Sequence, residues 1–263
     1  MRNNSTWAPS ALSPIHWPPN AWNPWLVVLA ALGTLALNVV PGTAYEVAYI
    51  IYAKTHHVHF ARDLSNFPKV QLVIAQCVAY APLVLFLLAV VPRLARVSLA
   101  DLGLRRPTGR EIAIGVAGSV AMWVVALAGG AVAAALTHRH DTEDAVELLR
   151  GLRGPLQIGL FVVVACVFAP IVEELTFRVL VFNALTKYAP VAVAAIVSGI
   201  LFGAEHVLGK SPGQLLTIAF PLALTGIVLA YVYATTRCFW SNVTTHACFN
   251  GVQLIALIVF HAT

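Results

Sequence analysis

The sequence predicts an all-α integral membrane protein, and three observations lead to that class. Of the 263 residues, 59% are hydrophobic and only 10% are charged, whereas soluble domains carry about 25% charged residues. The apolar residues form long uncharged runs, each near the roughly 20 residues that a membrane-spanning helix needs. Such runs are too long and too continuously apolar for barrel strands, and backbone groups in lipid must bond within the helix. We therefore expect a polytopic bundle of about 7–8 transmembrane helices.

The N-terminal segment, residues 1–24, differs from the rest because it is rich in proline and tryptophan. Tryptophan gathers at the headgroup level of a bilayer, so this segment is predicted to lie at the interface before the first span. Residues 25–263 show no internal repeat and no soluble segment, and we expect them to form a single membrane domain.

Seven apolar runs are candidate spans. The pair Pro41-Gly42 could divide the first of them, which would raise the count to eight. The seven runs cover about 25–52, 70–91, 112–136, 156–185, 189–208, 214–234 and 240–261.

The segment between the third and fourth runs, residues 137–155, mixes charged side chains with apolar ones such as Val146 and Leu149. This mixture predicts a short helix along the surface of the bundle. The net charge of +5 is distributed over short loops. Basic loops suit contact with anionic lipid headgroups, and the absence of a long basic face argues against nucleic acid as a partner.

The fourth run contains charged residues that a lipid-facing helix would not contain. Glu173, Glu174 and Arg178 follow eighteen uncharged residues, Pro155 to Val172. Each charge at mid-span costs roughly 2.5–3.5 kcal/mol on insertion scales for Asp, Lys and Arg. An ionisable cluster inside the membrane therefore indicates a functional site.

The spacing within this cluster gives its members different roles. Glu174 and Arg178 are four residues apart on one helix face and can form an ion pair. Glu173 points about 100° away and has no partner in its own helix, which suits a general base. A buried ion-pair network that only locks helices together is the alternative interpretation of the same residues.

Two later spans add further polar groups. The fifth ends with Phe202 and His206, and the seventh carries His246 and Asn250 at positions i and i+4. Hydrogen bonding between helices could explain the second pair, and so could the stabilisation of an oxyanion. Together with Glu173, these groups could activate water and stabilise a tetrahedral intermediate. No GxSxG motif for a serine nucleophile is present.

These three motifs resemble the signatures of the CPBP family, which includes the type II CAAX prenyl endopeptidases and the bacteriocin-processing or immunity proteins called Abi. They stand here as Glu173-Glu174-Leu-Thr-Phe-Arg178, Phe202-Gly-Ala-Glu-His206 and His246-Ala-Cys-Phe-Asn250. The stretch 101–107 resembles the family's usual lead-in, so the resemblance covers about residues 100–255.

The resemblance implies a role for each motif residue. Glu173 would activate water with assistance from His206, while Glu174 would position the site with structural support from Arg178 and Phe202. His246 and Asn250 would form the oxyanion hole. The resemblance favours a glutamate-type protease without a cofactor. Zinc stays open, because Glu173, His206 and His246 could supply the three protein ligands of a catalytic zinc.

The expected function is therefore hydrolysis of a peptide bond in a membrane-anchored or lipidated protein, or in a leader peptide, within the cytoplasmic membrane of a prokaryote. Two rivals stay open. One is a non-catalytic immunity or scaffold protein of the same family. The other is a transporter or proton relay, since intramembrane Glu and His residues also mark those proteins. The sequence fixes neither the substrate nor the oligomeric state.

If successive spans simply cross the membrane in alternate directions, the motif residues fall at different depths in the membrane. His206 falls near the far end of the fifth span, whereas His246 falls near the start of the seventh. The two would differ in depth by roughly 15 Å at 1.5 Å of rise per residue. We therefore expect shifted span boundaries, or a tilt or break in the fifth span near Pro190 or Gly199.

Overall fold

The computed structural model describes residues 15–59, 67–208 and 210–261, and these form an all-α polytopic bundle. The elements before the fourth span are α1 (Pro24–Thr55), α2 (Lys69–Ala89), α3 (Val91–Ala95), α4 (Gly109–Thr137) and α5 (Asp144–Gly151). The fourth span comprises α6 (Pro155–Val163), a π-helical turn (Val164–Phe168), α7 (Ala169–Glu174), a second π-helical stretch (Leu175–Phe182) and α8 (Asn183–Thr186). The last elements are α9 (Val191–Glu205), α10 (Pro212–Gln214), a π-helical turn (Leu215–Ala219), α11 (Phe220–Thr236) and α12 (Phe239–His261).

The lengths of these helices confirm an integral, multi-pass membrane protein. Six helices in the described part of the chain are long and apolar enough to cross a bilayer, and α9 adds a shorter apolar helix of 15 residues. Their outer faces expose large apolar side chains, for example Leu32 and Leu127. Such apolar faces are favourable in contact with lipid tails and would be unfavourable in contact with water.

Local sequence signals fix where the helices begin. Asn23 caps α1 by accepting a hydrogen bond from the backbone N–H of Trp25, and Pro24 occupies the first turn, where its missing N–H costs nothing. Thr108 and Glu111 form a reciprocal capping box at the start of α4. These caps hold the polar helix ends at the edges of the apolar runs.

The first span is one continuous helix, so the predicted division at Pro41-Gly42 does not occur. A proline removes one backbone hydrogen bond but need not end a long helix when neighbours support it. Here Gly42 is buried against Ala75 and Ala79 of α2. The eight-span alternative is therefore wrong within the described residues.

Part of the N-terminal segment packs against the helix bundle. Trp22 is fully buried, and its backbone N–H donates to the Ala95 carbonyl at 3.1 Å. Trp17 packs edge-on against Trp22 and donates its indole N–H to Thr186 at 3.0 Å. Trp25 alone of these three is exposed. Residues 1–14, with Trp7, lie outside the described residues.

The remaining helices pack in a defined order. The α9 helix runs along α11, α11 packs on α4, α4 packs on α12, and α1 pairs with α2. The short helix α5 lies between the third and fourth spans with Val146 and Leu149 buried, as the mixed composition of this segment predicts. The motif residues are therefore distributed over three neighbouring elements of one bundle.

The fifth span is a short and unbroken helix, so the irregularity that was expected in it does not occur. A helix of 15 residues is about 22 Å long, less than the roughly 30 Å of the hydrocarbon core. His206, directly after α9, is therefore not carried to the far surface. The predicted break near Pro190 or Gly199 is wrong: Pro190 caps α9 and Gly199 lies buried within it. The irregular turns lie in the fourth span and at the start of the sixth instead.

Close contact between α9 and α11 gives a first testable prediction. A Cβ atom on Gly203 would overlap the carbonyl oxygen of Ala219, which belongs to the backbone and cannot rotate away. We expect Gly203→Ala to destabilise the bundle by about 1–3 kcal/mol, the usual range for overpacking, in thermal unfolding in detergent. Gly130→Ala is the matched control, because a Cβ atom there would meet nothing within 4 Å. Equal unfolding temperatures for the two variants would contradict this packing.

Candidate active site

A buried ion pair forms the base of the candidate site. The Nε atom of Arg178 lies 3.2 Å from Oε2 of Glu174, and both side chains are fully buried. Arg178 also donates to the carbonyl oxygen of Gly226 on α11 at 2.9 Å, and its guanidinium lies 4.9 Å from the centre of the Phe202 ring. The i, i+4 spacing thus produces the predicted pair, and the pair ties the fourth span to α9 and α11.

Glu174 has two further partners, both on α12. Its Oε1 atom accepts from Nδ1 of His246 at 2.9 Å, and its Oε2 atom accepts from the amide of Asn242. A carboxylate oxygen can only accept, so Nδ1 of His246 carries a proton and Nε2 points away from Glu174. Glu174 therefore fixes the orientation of the imidazole.

The sequence interpretation missed Asn242, although a signal for it exists. Asn242, His246 and Asn250 recur every four residues along α12 and so form one polar stripe on an apolar helix. Only the last two belong to the recognised motif. Asn242 is fully buried and bonded to Glu174, which makes it a supporting residue.

Glu173 lies in a different environment from Glu174. Its Oε2 atom is 3.7 Å from Nε2 of His246 and has no hydrogen-bond partner among residues 15–59, 67–208 and 210–261. Its side chain keeps 19% of its exposure, against 0% for Glu174. Glu174 is thus enclosed by protein, whereas Glu173 reaches a cavity.

His206 and His246 both contact the ring of Phe202. The centre of this ring is 4.9 Å from the imidazole of His206 and 5.8 Å from that of His246. Nδ1 of His206 lies 2.8 Å from the carbonyl oxygen of Phe202, which can only accept, so Nδ1 carries the proton. If the ring carries a single proton, the lone pair is on Nε2. The imidazole beside Glu173 is that of His246 and not that of His206.

Asn250 is held by the irregular turn of the fourth span. Its amide N–H donates to the carbonyl oxygen of Ala165 at 2.8 Å, within the π-helical turn Val164–Phe168. Such turns occur often at functional sites because they free or redirect a backbone group. The amide has a second N–H that is not used in this bond.

A cavity of about 490 Å³ joins these groups. Glu173, Phe202, His206, His246 and Asn250 all line it, so the structure brings the three motifs together despite their distance in the sequence. Glu174 and Arg178 are absent from its wall. Its volume falls in the range typical of ligand sites.

The cavity wall also includes residues that the sequence interpretation did not place there. Glu205 lines it and accepts from Asn38 of α1 at 3.0 Å. Gln253 of α12 lines it one turn beyond Asn250, and Lys69 lines it from the start of α2. Glu143, directly before α5, reaches it from outside the spans. A loop residue of this kind cannot be placed by helical periodicity.

The three groups considered for zinc do not fit a metal site as arranged. Across the described ranges, no three His, Cys, Asp or Glu side chains are grouped closely enough to hold a metal ion. A zinc ion would need ligand atoms at about 2.0–2.2 Å. Of the two imidazoles, that of His246 lies 3.7 Å from Glu173, and no ion pair joins His206 to Glu173 within the described ranges.

Comparisons with known proteins agree with the motifs. Residues 155–252 match the family model for Rce1-like proteins, described as type II CAAX prenyl endopeptidase Rce1-like. A Bacillus subtilis (strain 168) protein, YdiL, named as a candidate membrane peptidase, is 28% identical over 98 residues. That match spans 37% of this chain and 37% of the relative. No solved structure matches the chain.

Proposed function

We propose that this chain is an intramembrane endopeptidase of the CPBP family, and the match of residues 155–252 to the Rce1-like family model supports this. It would hydrolyse a peptide bond in a membrane-anchored or lipidated protein, or in a leader peptide. The observation that supports this most is the Glu173 carboxylate, which lies 3.7 Å from His246 on the wall of a cavity inside the bundle. A bacterial relative and the multi-pass fold support a place in the cytoplasmic membrane of a prokaryote.

In the proposed mechanism, Glu173 activates a water molecule. The gap of 3.7 Å between Glu173 and His246 is too long for a direct hydrogen bond. One water molecule at about 2.8 Å from each group would fit it. Glu173 takes a proton from the water as its oxygen bonds to the substrate carbonyl carbon. His206, which lines the same cavity, would help to orient the water.

The carbonyl oxygen of the substrate becomes negatively charged in this step and needs hydrogen-bond donors. The second N–H of Asn250 is one candidate. His246 is the other when it is doubly protonated, because Nδ1 already donates to Glu174 and Nε2–H would then be free to donate. When the C–N bond breaks, the proton held by Glu173 passes to the leaving amine.

Glu174, Arg178 and Phe202 act as positioning residues in this proposal, since they hold the reactive groups without reaching the reacting atoms. Glu174 orients His246, Arg178 balances the charge of Glu174, and Phe202 packs against both imidazoles. The proposed mechanism uses no metal ion.

Two measurements test the proposed function. Loss of the gene should cause uncleaved membrane precursors to accumulate, which comparative proteomics of a deletion strain and its parent would detect. The purified protein in liposomes should cleave one of those precursors. Flux of ions or solutes across the liposomes without cleavage would favour a transporter, and neither cleavage nor flux would favour a scaffold.

The oxyanion role gives a kinetic prediction. Asn250→Ala should lower kcat by about 10²–10³-fold, the usual loss when one oxyanion donor is removed, while the substrate KM changes little. Gln253→Ala is the matched control, because Gln253 lines the same cavity one turn away on α12. If the two variants have the same kcat, Asn250 does not bind the oxyanion.

A further inference from the structure

Glu143 is a cavity residue that lies outside the region shared with the family model. It precedes α5, between the third and fourth spans, whereas the matched region begins at residue 155. Its side chain lines the same cavity as His206 and His246. The proposed mechanism does not use it.

The segment that carries Glu143 is fixed to the bundle on both sides. Asp141 pairs with Arg139 at 2.9 Å and accepts from the Thr217 hydroxyl at 2.7 Å. Asp144 pairs with Lys210 across the neighbouring loop. The position of Glu143 at the cavity therefore depends on these non-covalent contacts as well as on the covalent chain.

The short helix that follows adds apolar anchors. Val146, Leu149 and Leu152 are buried against the bundle. Buried apolar side chains on one face of α5 orient the helix, and the position of its first residues follows. Glu143 is therefore presented to the cavity by a packed element.

The charge of Glu143 has no partner in the described part of the chain. Its neighbours have partners: Asp144 pairs with Lys210, and Glu147 accepts from Thr142 at 3.1 Å. No hydrogen bond or ion pair joins Glu143 to any described side chain, including Lys69 on the same wall. Burial raises the pKa of the Glu143 carboxyl, and the nearby His206 and His246 offset part of that rise.

A half-buried carboxylate without a cation is costly unless something that enters the cavity compensates it. Lys69 is the one lysine or arginine among the described lining residues, whereas several carboxylates line the wall. A cationic side chain in the bound segment would supply the missing charge. An acidic side chain would be repelled.

We propose that Glu143 determines substrate specificity by binding a basic side chain, lysine or arginine, close to the scissile peptide bond. This inference rests on the proposed peptidase function, because it assumes that a peptide segment occupies the cavity. It adds a charge requirement for the substrate that the motif residues alone do not supply.

The test uses N-palmitoylated fluorogenic peptides with the full-length protein in phosphatidylcholine liposomes. Each peptide has a mixed sequence in which one of four central positions is varied. The residue at that position is Lys, Gln or Glu, which gives a Lys series, a Gln series and a Glu series. We expect wild type to cleave the Lys series about 10–100-fold faster than the Gln series at one position, the range expected for a charge-assisted hydrogen bond. Glu143→Gln should reduce this preference to less than about threefold.

A charge reversal and a matched control complete the design. Glu143→Lys should shift the preference toward the Glu series, which a merely structural role would not cause. Glu46→Gln, the same substitution on α1 at a residue that does not line the cavity, should keep the wild-type preference. If wild type cleaves peptides without a basic preference, or if Glu143→Gln keeps that preference, the inference is wrong and the peptidase function stands. If wild type cleaves none of the peptides, both are overturned.

Discussion

Glu173→Gln should abolish peptide cleavage, with kcat reduced by about 10²–10⁴-fold, the contribution typical of a general base. Glutamine keeps the size and much of the polarity of the side chain but cannot accept the proton from water. The Oε2 atom of Glu173 has no hydrogen-bond partner in the described structure, so the substitution breaks no internal bond. The folded protein should therefore form in normal yield. Single-turnover kinetics in liposomes, with unfolding measured in parallel, would check both parts.

The control for Glu173 is another carboxylate on the wall of the same cavity. Glu205 accepts a hydrogen bond from Asn38 and has no part in the proposed mechanism. Glu205→Gln should retain most of the activity. Cleavage by Glu173→Gln at the wild-type rate would remove the general base from the proposal, whatever the control shows.

Arg178→Met should cause the largest loss of stability, about 3–5 kcal/mol, since it leaves the Glu174 charge buried without its cation. Both side chains of this pair have no exposure to solvent, and Arg178 also donates to Gly226 on another span. Arg105→Met is the matched control, because Arg105 pairs with Glu111 at the surface with 41% of its side chain exposed. That variant should lose less than about 1 kcal/mol. Thermal unfolding in detergent would measure both.

A double variant separates the cost of an unpaired charge from the loss of packing. Glu174→Met combined with Arg178→Met removes both charges, so it should be more stable than Arg178→Met alone. It should still lack activity, because His246 would lose the carboxylate that orients it. A double variant no more stable than the single one would indicate that packing, and not charge, decides the stability of this region.

The sequence predicted the helical architecture well because the bilayer imposes a simple rule on it. Continuous apolar runs of span length must be helices in lipid, and six described helices follow those runs closely. The i, i+4 rule likewise predicted the pair of Glu174 and Arg178. Both predictions depend on local spacing, which the sequence records directly.

Features that depend on contacts between distant segments were not predicted. Periodicity alone does not show that Pro41 lies in an unbroken helix, because the packing of Gly42 on α2 decides it. Asn242 has a periodic signal, but its bond to Glu174 requires the relative position of two helices. The π-helical turns were not foreseen either, since their sequence consists of ordinary helix-forming residues.

The different environments of Glu173 and Glu174 illustrate both what the sequence determines and what the tertiary structure decides. The sequence by itself determined a polytopic helical protein with two adjacent carboxylates on different faces of one span, because helical geometry separates neighbours by about 100°. Only the tertiary structure decided that Glu174 is enclosed by Arg178 and His246 while Glu173 reaches a cavity. The physical reason is that Asn242 and His246 of α12 close over Glu174, and packing between helices is set by the shapes of distant side chains.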